Sequence, residues 1–156
     1  ARGINDTGYR LPRAWLRDSD DFSFSGLKTA VLHIVEDSID GKGNTSMPNE
    51  SDLSDTRAAI AAGFQTAVVD VLVTKTTAAA ERCGTRNILL CGGVAANQAL
   101  RKEMASASRL PVFIPSSILC TDNAAMIASC GYYHFKSGEC SDLYLDVEPN
   151  AEIGQQ

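Results

Sequence analysis

Two short turns of the sequence carry the residues best suited to bind a ligand. Gly92 and Gly93 follow an apolar run, Asn97 comes four residues later, and Asp122 follows a second apolar run. Glycine allows a sharp turn and close backbone approach, and the unpaired amides at the start of a helix favour an anion. A carboxylate suits a hard or borderline divalent metal. Gly92, Gly93 and Asn97 are therefore candidates for an anion site, and Asp122 is a candidate metal ligand.

Each of these residues also has a purely structural interpretation. Gly-Gly pairs are common in tight turns, and asparagine is a favourable N-cap residue. Asp122 in the first turn of a helix would contribute about 0.3–1 kcal/mol through the helix dipole. The segment 91–101 is neither a Walker loop nor a GxGxxG fingerprint. Each turn taken alone favours the structural interpretation, and the functional one gains weight because both turns are expected at one edge of a sheet, where open α/β folds bind ligands.

The hydrophobic pattern predicts the elements that bring the two turns together. The segments 88–90 and 112–114 are continuously apolar, as in buried strands, whereas 97–108 and 121–139 have helical spacing. The two strands are predicted to be adjacent and parallel, because the helix between them is a crossover of suitable length. The sequence therefore predicts an α/β fold with a largely parallel sheet.

The preceding part of the chain is predicted to be mainly helical. The segment 22–25 alternates phenylalanine and serine, which is typical of a strand, before Gly26 ends it and helical spacing begins. A long helix is expected over 52–83, with or without a break at Gly63. Gly84 is a suitable residue for its C-terminal stop.

Two further segments lie outside these elements. Residues 1–20 mix Gly, Pro, Arg and Trp without a clear period and are interpreted as a surface segment that leads into the domain, with Trp15 as its anchor. The polar segment 38–51 has too little apolar surface to offset its ordering entropy, so it is predicted to be a mobile loop. With 156 residues and 44% hydrophobic composition, the chain is expected to form one domain, 1–156.

Composition argues against several classes of function. Fourteen Lys and Arg against 19 Asp and Glu give a net charge of -5, so a nucleic-acid partner would need help from another surface. The five cysteines are odd in number and lack CxxC spacing, which favours free thiols in a reducing cytoplasm. No apolar run of membrane-spanning length and no signal-peptide pattern is present. A cytoplasmic protein without a membrane partner is expected.

Three motifs in a fixed order resemble the TsaD family of tRNA threonylcarbamoyladenosine synthases, formerly called O-sialoglycoprotein endopeptidases or glycoproteases. They are DFSFSGLKTAV (21–31), GGVAANQALR (92–101) and CTDNAAMIA (120–128). The segment LPRAWL (11–16) is similar to the one that precedes the first motif in that family. The resemblance covers nearly the whole chain except 38–51.

The resemblance implies an actin-like fold of the sugar kinase, Hsp70 and ribonuclease H-like type, built from two lobes. This chain would be mainly the second, carboxyl-terminal lobe. The implied reaction moves a threonylcarbamoyl group from its adenylate to N6 of an adenosine beside the tRNA anticodon. The implied partners are tRNA and helper subunits, which are expected to dock largely on the first lobe.

The resemblance also assigns roles to individual residues. Asn97, with Gly92 and Gly93, would contact an adenine nucleotide or threonylcarbamoyl-adenylate. Asp122 would coordinate one divalent metal ion, for which iron, zinc and magnesium are the candidates. Ser25 and Lys28 are placed where they could line the same cleft, but the sequence gives no ground for a chemical role.

The sequence departs from the family pattern in two places. The family's metal site resembles an HxxxH pair plus the aspartate, whereas His33 and His134 are far apart, and both are expected to be packed or surface residues. The Ser-Gly-Gly loop that holds phosphates is also absent. Since a catalytic metal needs several ligands fixed together, the chain is predicted to supply part of an active site and to be inactive alone.

Two alternative functions stay open at this point. One is a metal-dependent glycoprotein endopeptidase, although the sequence has no HExxH motif and no evident general base near Asp122. The other is a non-catalytic, actin-like nucleotide-binding module that acts through conformational change.

Overall fold

A computed structural model describes residues 11–16, 19–39 and 50–147. In this part of the chain four α-helices and two short strands follow one another, with a 3-10 turn after each strand. In chain order the elements are α1 (Ser25–Ile39), α2 (Glu50–Arg82), β1 (Ile88–Leu89), the first 3-10 turn (Gly93–Ala96), α3 (Gln98–Ala107), β2 (Val112–Phe113), the second 3-10 turn (Ser117–Leu119) and α4 (Ala124–Lys136).

The two strands pair in parallel, as the sequence predicts. Ile88 lies opposite Val112 and Leu89 opposite Phe113. The Leu90 N–H extends the ladder by donating to the Phe113 carbonyl at 3.0 Å. Since α3 is the crossover between parallel strands, the turns that follow β1 and β2 leave the same edge of the sheet. Each strand has two residues and is one residue shorter than predicted.

The main core lies where α3 packs on α2. Leu100 and Met104, four residues apart on α3, are each only 1% exposed, and they cluster with Val73 of α2 and Ile88 of β1. Burying a side chain of this size contributes about 1.5–3 kcal/mol. The packing fixes the start of α3, and therefore Asn97, against the middle of α2.

Helix α2 runs without a break through Gly63, which is buried. A helix-interior glycine costs about 1 kcal/mol relative to alanine, which the packing of this long helix outweighs. The helix ends as predicted, because Gly84 adopts a φ of 61° and the Thr85 N–H donates back to the Ala80 carbonyl at 3.1 Å.

The predicted strand at 22–25 is wrong, since α1 already begins at Ser25 and includes Gly26. Phe22 and Phe24 instead stack on each other with ring centroids 6.4 Å apart. The Lys75 ammonium of α2 lies 5.6 Å from the centroid of the Phe22 ring. The segment 22–24 is therefore held by contacts with α2. Within the described residues it does not pair with a strand.

The leading segment 11–16 is anchored by residues other than the predicted Trp15, which is 49% exposed. Leu11 is buried in a second small core with Leu27 of α1 and Ala67 of α2. The Arg13 guanidinium donates to the Asp70 carboxylate of α2 at 2.7 and 2.9 Å. Leu11 and the Arg13–Asp70 ion pair therefore anchor the leading segment, in place of Trp15.

Two predicted segments, the loop 38–51 and the leading segment 1–20, lie partly outside the described residues. The predicted mobile loop 38–51 lies largely outside them, but its ends at 38–39 and 50–51 are helical, so that part of the prediction is wrong. Residues 1–10 and 17–18 of the leading segment also lie outside the described residues.

Helix α4 stands apart from both cores. None of its 13 residues is buried, and Tyr132, Tyr133 and Phe135 are all exposed. It begins at Ala124, three residues later than predicted, with Asn123 as N-cap.

Near the C-terminal end of α4, the exposed His134 Nδ1–H donates to the Glu139 carboxylate. This hydrogen bond, followed by one from Ser137, lowers the pKa of Glu139.

Among the described residues, one helix segment, Ser54–Arg82, is long and apolar enough to cross a membrane by length and composition. The core helix of a soluble protein has the same length and composition. Ala67 and Val71 in this segment are buried within the protein, and Asp70 between them pairs with Arg13. These contacts favour a packed core helix.

Candidate functional site

The turn after β1 has a backbone that requires glycine at its first position. Gly92 adopts a φ of 86° and a ψ of 171°, a region that side-chain-bearing residues rarely enter. Gly93 begins the 3-10 turn and has an ordinary φ. A Cβ built on either glycine meets no atom within 4 Å. The turn therefore presents open space beside its backbone, and only Gly92 is needed for conformation.

The Asn97 side chain is fixed from two sides. Its Oδ1 accepts the Leu100 N–H at 3.0 Å, so Asn97 is the N-cap of α3, as its structural interpretation predicts. Its Nδ2 donates to Gln65 Oε1 of α2 at 2.9 Å. One amide hydrogen of Asn97 then remains for a ligand, in an orientation that two separate elements determine.

Asn97 also lines an open cleft of about 1000 Å³. Its walls are mainly apolar side chains of α1, α2, the end of β1 and α3. The polar groups that line it include Lys28, Arg57, Gln65, Thr76 and Asn97. A concave, largely apolar cleft with a few polar groups is typical of a small-molecule site.

Lys28 and Ser25 are both in the motif at the start of α1, but only Lys28 is among the residues that line the cleft. The side chain of Lys28 is exposed. Ser25 is exposed at the first position of α1, where its carbonyl accepts the Thr29 hydroxyl at 3.1 Å. The Lys28 ammonium therefore borders the cleft, whereas the Ser25 hydroxyl does not line it.

Asp122 lies just before the N-cap Asn123, so its predicted place in the first turn of the helix is wrong. Its side chain is exposed and forms no hydrogen bond or ion pair with the described residues. Within the same residues, no group of three or more His, Cys, Asp and Glu side chains is close enough to hold a metal ion. Asp122 is therefore a single candidate ligand, and it does not line the cleft that contains Asn97.

Arg101 links the two turns, and the sequence reasoning missed it. Its Nε donates to the Ala95 carbonyl at 2.6 Å, in the turn after β1. Its Nη2 donates to the Pro115 carbonyl at 2.7 Å and to Cys120 Sγ at 3.0 Å, on either side of the second 3-10 turn. One guanidinium therefore joins the turn of Asn97 to the segment that leads to Asp122.

Neither Arg101 nor Gln65 carried a strong signal in the sequence. Arg101 is the last residue of the motif GGVAANQALR, and this place in the motif is the clue that the sequence offers. Gln65 is 32 residues from Asn97, and only the packing of α3 on α2 brings the two amides together.

Parallel strands joined by a crossover helix are those of an α/β protein, and the glycine–asparagine turn lies beside an apolar cleft, at the sheet edge where open α/β folds bind ligands. The sequence profile of the TsaD family, described as tRNA N6-adenosine threonylcarbamoyltransferase, matches residues 1–129. This match covers more than half of the chain, and the chain therefore belongs to the TsaD family.

Relatives carrying the name tRNA N6-adenosine threonylcarbamoyltransferase match most of the chain. The relative from Dehalococcoides mccartyi strain BAV1 is 52% identical over 143 residues, covering 92% of this chain and 40% of the relative. The Thermomicrobium roseum relative is 48% identical over 93% of the chain and 42% of its own length. The Symbiobacterium thermophilum relative is 45% identical over 99% of the chain and 43% of its own length. The chain thus spans about 40% of the length of these relatives.

Proposed function

We propose that this chain forms the nucleotide-binding part of a tRNA N6-adenosine threonylcarbamoyltransferase. The observation that carries the proposal is the turn after β1, where Cys91 and Asn97, on either side of the open backbone of Gly92 and Gly93, line an apolar cleft in a chain of the TsaD family. In the proposed reaction, N6 of a tRNA adenosine attacks the carbamoyl carbon of threonylcarbamoyl-adenylate. A C–N bond forms, the bond to the phosphate oxygen breaks, AMP leaves and the N6 proton is released.

The cleft residues divide into three roles in this proposal. The open face of Gly92 and Gly93 lets the ligand approach the backbone, and the free amide hydrogen of Asn97 binds it. The apolar walls cover the base and exclude water. Lys28 and Arg57, the two cations that line the cleft, suit the phosphate group of an adenylate.

Asp122 is proposed as one ligand of a divalent metal, with iron, zinc and magnesium as candidates. A metal bound there would polarise or orient an oxygen of the donor. The described residues do not supply a complete metal site, because they contain no group of three or more His, Cys, Asp and Glu side chains that could hold a metal ion. The metal therefore needs ligands from elsewhere in the family's polypeptide.

The wider assignment follows the family. We place the chain in the second lobe of an actin-like fold, with the histidine pair and the phosphate loop supplied by the remainder of the family's polypeptide. Transfer to tRNA would then require both parts, together with helper subunits, in the cytoplasm. The net charge of -5 supports this division, because this chain alone is a poor partner for a phosphate backbone.

The test uses a chimera in which this chain replaces the matching 143 residues of the Dehalococcoides mccartyi relative. Modified adenosine in tRNA is measured by mass spectrometry of nucleosides, with threonylcarbamoyl-adenylate varied to obtain KM and kcat. Asn97→Ala should raise KM for the adenylate, because it removes the side-chain amide that is proposed to bind the ligand.

The matched control is Gln98→Ala, the exposed neighbour of Asn97 on α3 that does not line the cleft. It should leave KM unchanged. A chimera without transfer activity, or one in which Asn97→Ala has the KM of wild type, would contradict the proposal.

A further inference from the structure

We infer that Arg101 is a positioning residue, which holds the turn of Asn97 and the segment of Asp122 at a fixed separation. This inference deepens the proposed function and rests on it in one respect: that the two turns belong to one active site. The contacts themselves are independent of that assignment.

The first step is the geometry of the guanidinium. Arg101 donates to the Ala95 carbonyl at 2.6 Å and to the Pro115 carbonyl at 2.7 Å, so it bonds to turns that follow different strands. The planar fork of arginine presents these donors in fixed directions. Both acceptors are backbone carbonyls, and the contact therefore sets the position of the chain itself.

The second step is the environment on the Asp122 side. Nη2 of Arg101 also donates to Cys120 Sγ at 3.0 Å, and the Cys120 side chain is buried. Cys120 is two residues before Asp122 and is the buried residue of that segment nearest to it. Arg101 and Cys120 thus fasten the chain immediately ahead of an otherwise exposed, unbonded carboxylate.

The third step is the place of Arg101 in its own helix. The Arg101 N–H bonds to the Asn97 carbonyl at 3.1 Å, one turn away along α3. Its side chain therefore starts from the element that Asn97 caps. A nucleotide held by Asn97 and a metal held by Asp122 would have their separation set by this side chain together with the pairing of β1 and β2.

The consequence for catalysis is a specific pattern. A loss of positioning of about 1 Å can cost about 100-fold in rate, and the loss of a side chain that orients a metal ligand costs about 10–100-fold in metal affinity or activity. Arg101→Lys keeps the charge but loses the fork. It should lower kcat and metal affinity about 10–100-fold, with a smaller effect on KM for the adenylate.

The experiment has two readouts on the chimera defined above. Hydrogen exchange measures opening of the segments 93–97 and 115–122, and the tRNA assay with metal analysis measures kcat, KM and metal content. Cys120→Ala, which keeps the arginine, should speed exchange in 115–122 and leave 93–97 close to wild type. This second variant gives a result even if Arg101→Lys fails to fold.

The matched control for a merely structural role is Val73→Ala. Val73 is buried in the core shared by α2 and α3, but it lines neither turn nor the cleft. It should lower the thermal midpoint without changing kcat or metal content at a temperature well below unfolding. An Arg101→Lys variant that behaves like Val73→Ala would overturn the positioning role.

The two proposals fail in different ways. If wild-type chimera lacks transfer activity but Arg101→Lys speeds exchange in both turns, the proposed function fails and the positioning role stands. Unchanged exchange in both turns of Arg101→Lys would overturn the positioning role, whatever the activity.

Discussion

The Asn97 side chain donates to Gln65 Oε1 across 2.9 Å, and this bond joins the turn after β1 to the middle of α2. Asn97 accepts the Leu100 N–H at the same time. A ligand that enters the cleft therefore meets an amide whose orientation is already set. Because the group is ordered in advance, less conformational entropy is lost on binding.

Gln65→Ala should weaken nucleotide binding without abolishing it. The change removes the acceptor that orients the Asn97 side-chain amide. A hydrogen bond of this kind contributes about 0.5–1.5 kcal/mol, which corresponds to a loss of up to about tenfold in ligand affinity. Calorimetric titration of the chimera with AMP measures the effect, with Gln98→Ala as the control. Equal affinity in Gln65→Ala and wild type would show that the amide pair does not serve the ligand.

Gly92→Ala and Gly93→Ala should have different effects on stability. Gly92 has a φ of 86° and a ψ of 171°, a conformation that costs about 1–3 kcal/mol for other residues. Gly93 has an ordinary φ and open space for a Cβ. Denaturant unfolding of this chain should therefore show a large loss for Gly92→Ala and a small change for Gly93→Ala. Equal losses would contradict the backbone assignment of the turn.

Met104→Ala should be among the more destabilising substitutions in α3. The side chain is 1% exposed and packs against α2, and truncations of this type cost about 2–5 kcal/mol. Lys102→Ala, two residues away on the exposed side, should stay within about 0.5 kcal/mol of wild type. The midpoint of denaturant unfolding distinguishes the two, and similar values would mean that α3 does not pack on α2 as described.

The Glu139 carboxylate should make the end of α4 sensitive to acid. The hydrogen bond from His134, followed by that from Ser137, lowers the pKa of Glu139. A lowered pKa in the folded state means that the stabilisation is present above the unfolded pKa and is lost as pH falls through the folded one. Amide exchange near 134–139 should rise over that range, and Glu139→Gln should remove the dependence. A carboxyl titration at or above the ordinary glutamate pKa would refute the contact.

Asp122 and Asn97 should separate metal binding from nucleotide binding. In the chimera, Asp122→Asn should lower bound metal while leaving AMP affinity close to wild type, because Asp122 does not line the cleft. Asn97→Ala should do the reverse. Metal analysis after dialysis, together with calorimetry, measures both quantities. Full metal content in Asp122→Asn would remove Asp122 from the metal site.

The parts of the fold predicted well from the sequence are those governed by local spacing. The strand pair and the helices α2 and α3 follow from the spacing of apolar residues. Asn97 begins α3 and Gly84 ends α2, both through local hydrogen bonds. Such signals lie within a few residues of the feature they specify. The match between the predicted and observed turn at Gly92 belongs to this class.

The parts that sequence reasoning missed depend on contacts between distant residues. The alternation at 22–25 is typical of a strand, yet Phe22 stacks on Phe24 and lies beside the Lys75 ammonium, 53 positions further along the chain. The link between Arg101 and Cys120 likewise spans 19 positions. No local period encodes these pairs, because the two partners of each pair lie far apart in the sequence and meet only when their elements pack together.

The exposure of α4 determines how this chain behaves once it is handled in a test tube. Tyr132, Tyr133 and Phe135 form an aromatic surface on a helix without a single buried residue, and the exposed Leu143 and Tyr144 follow it. Contiguous apolar surface of this kind promotes self-association, which exclusion of salts such as sulfate strengthens. Proteases that cut after aromatic residues would also have access to α4, since local opening there breaks few contacts. Self-association and proteolysis are therefore expected to involve α4 in the purified chain.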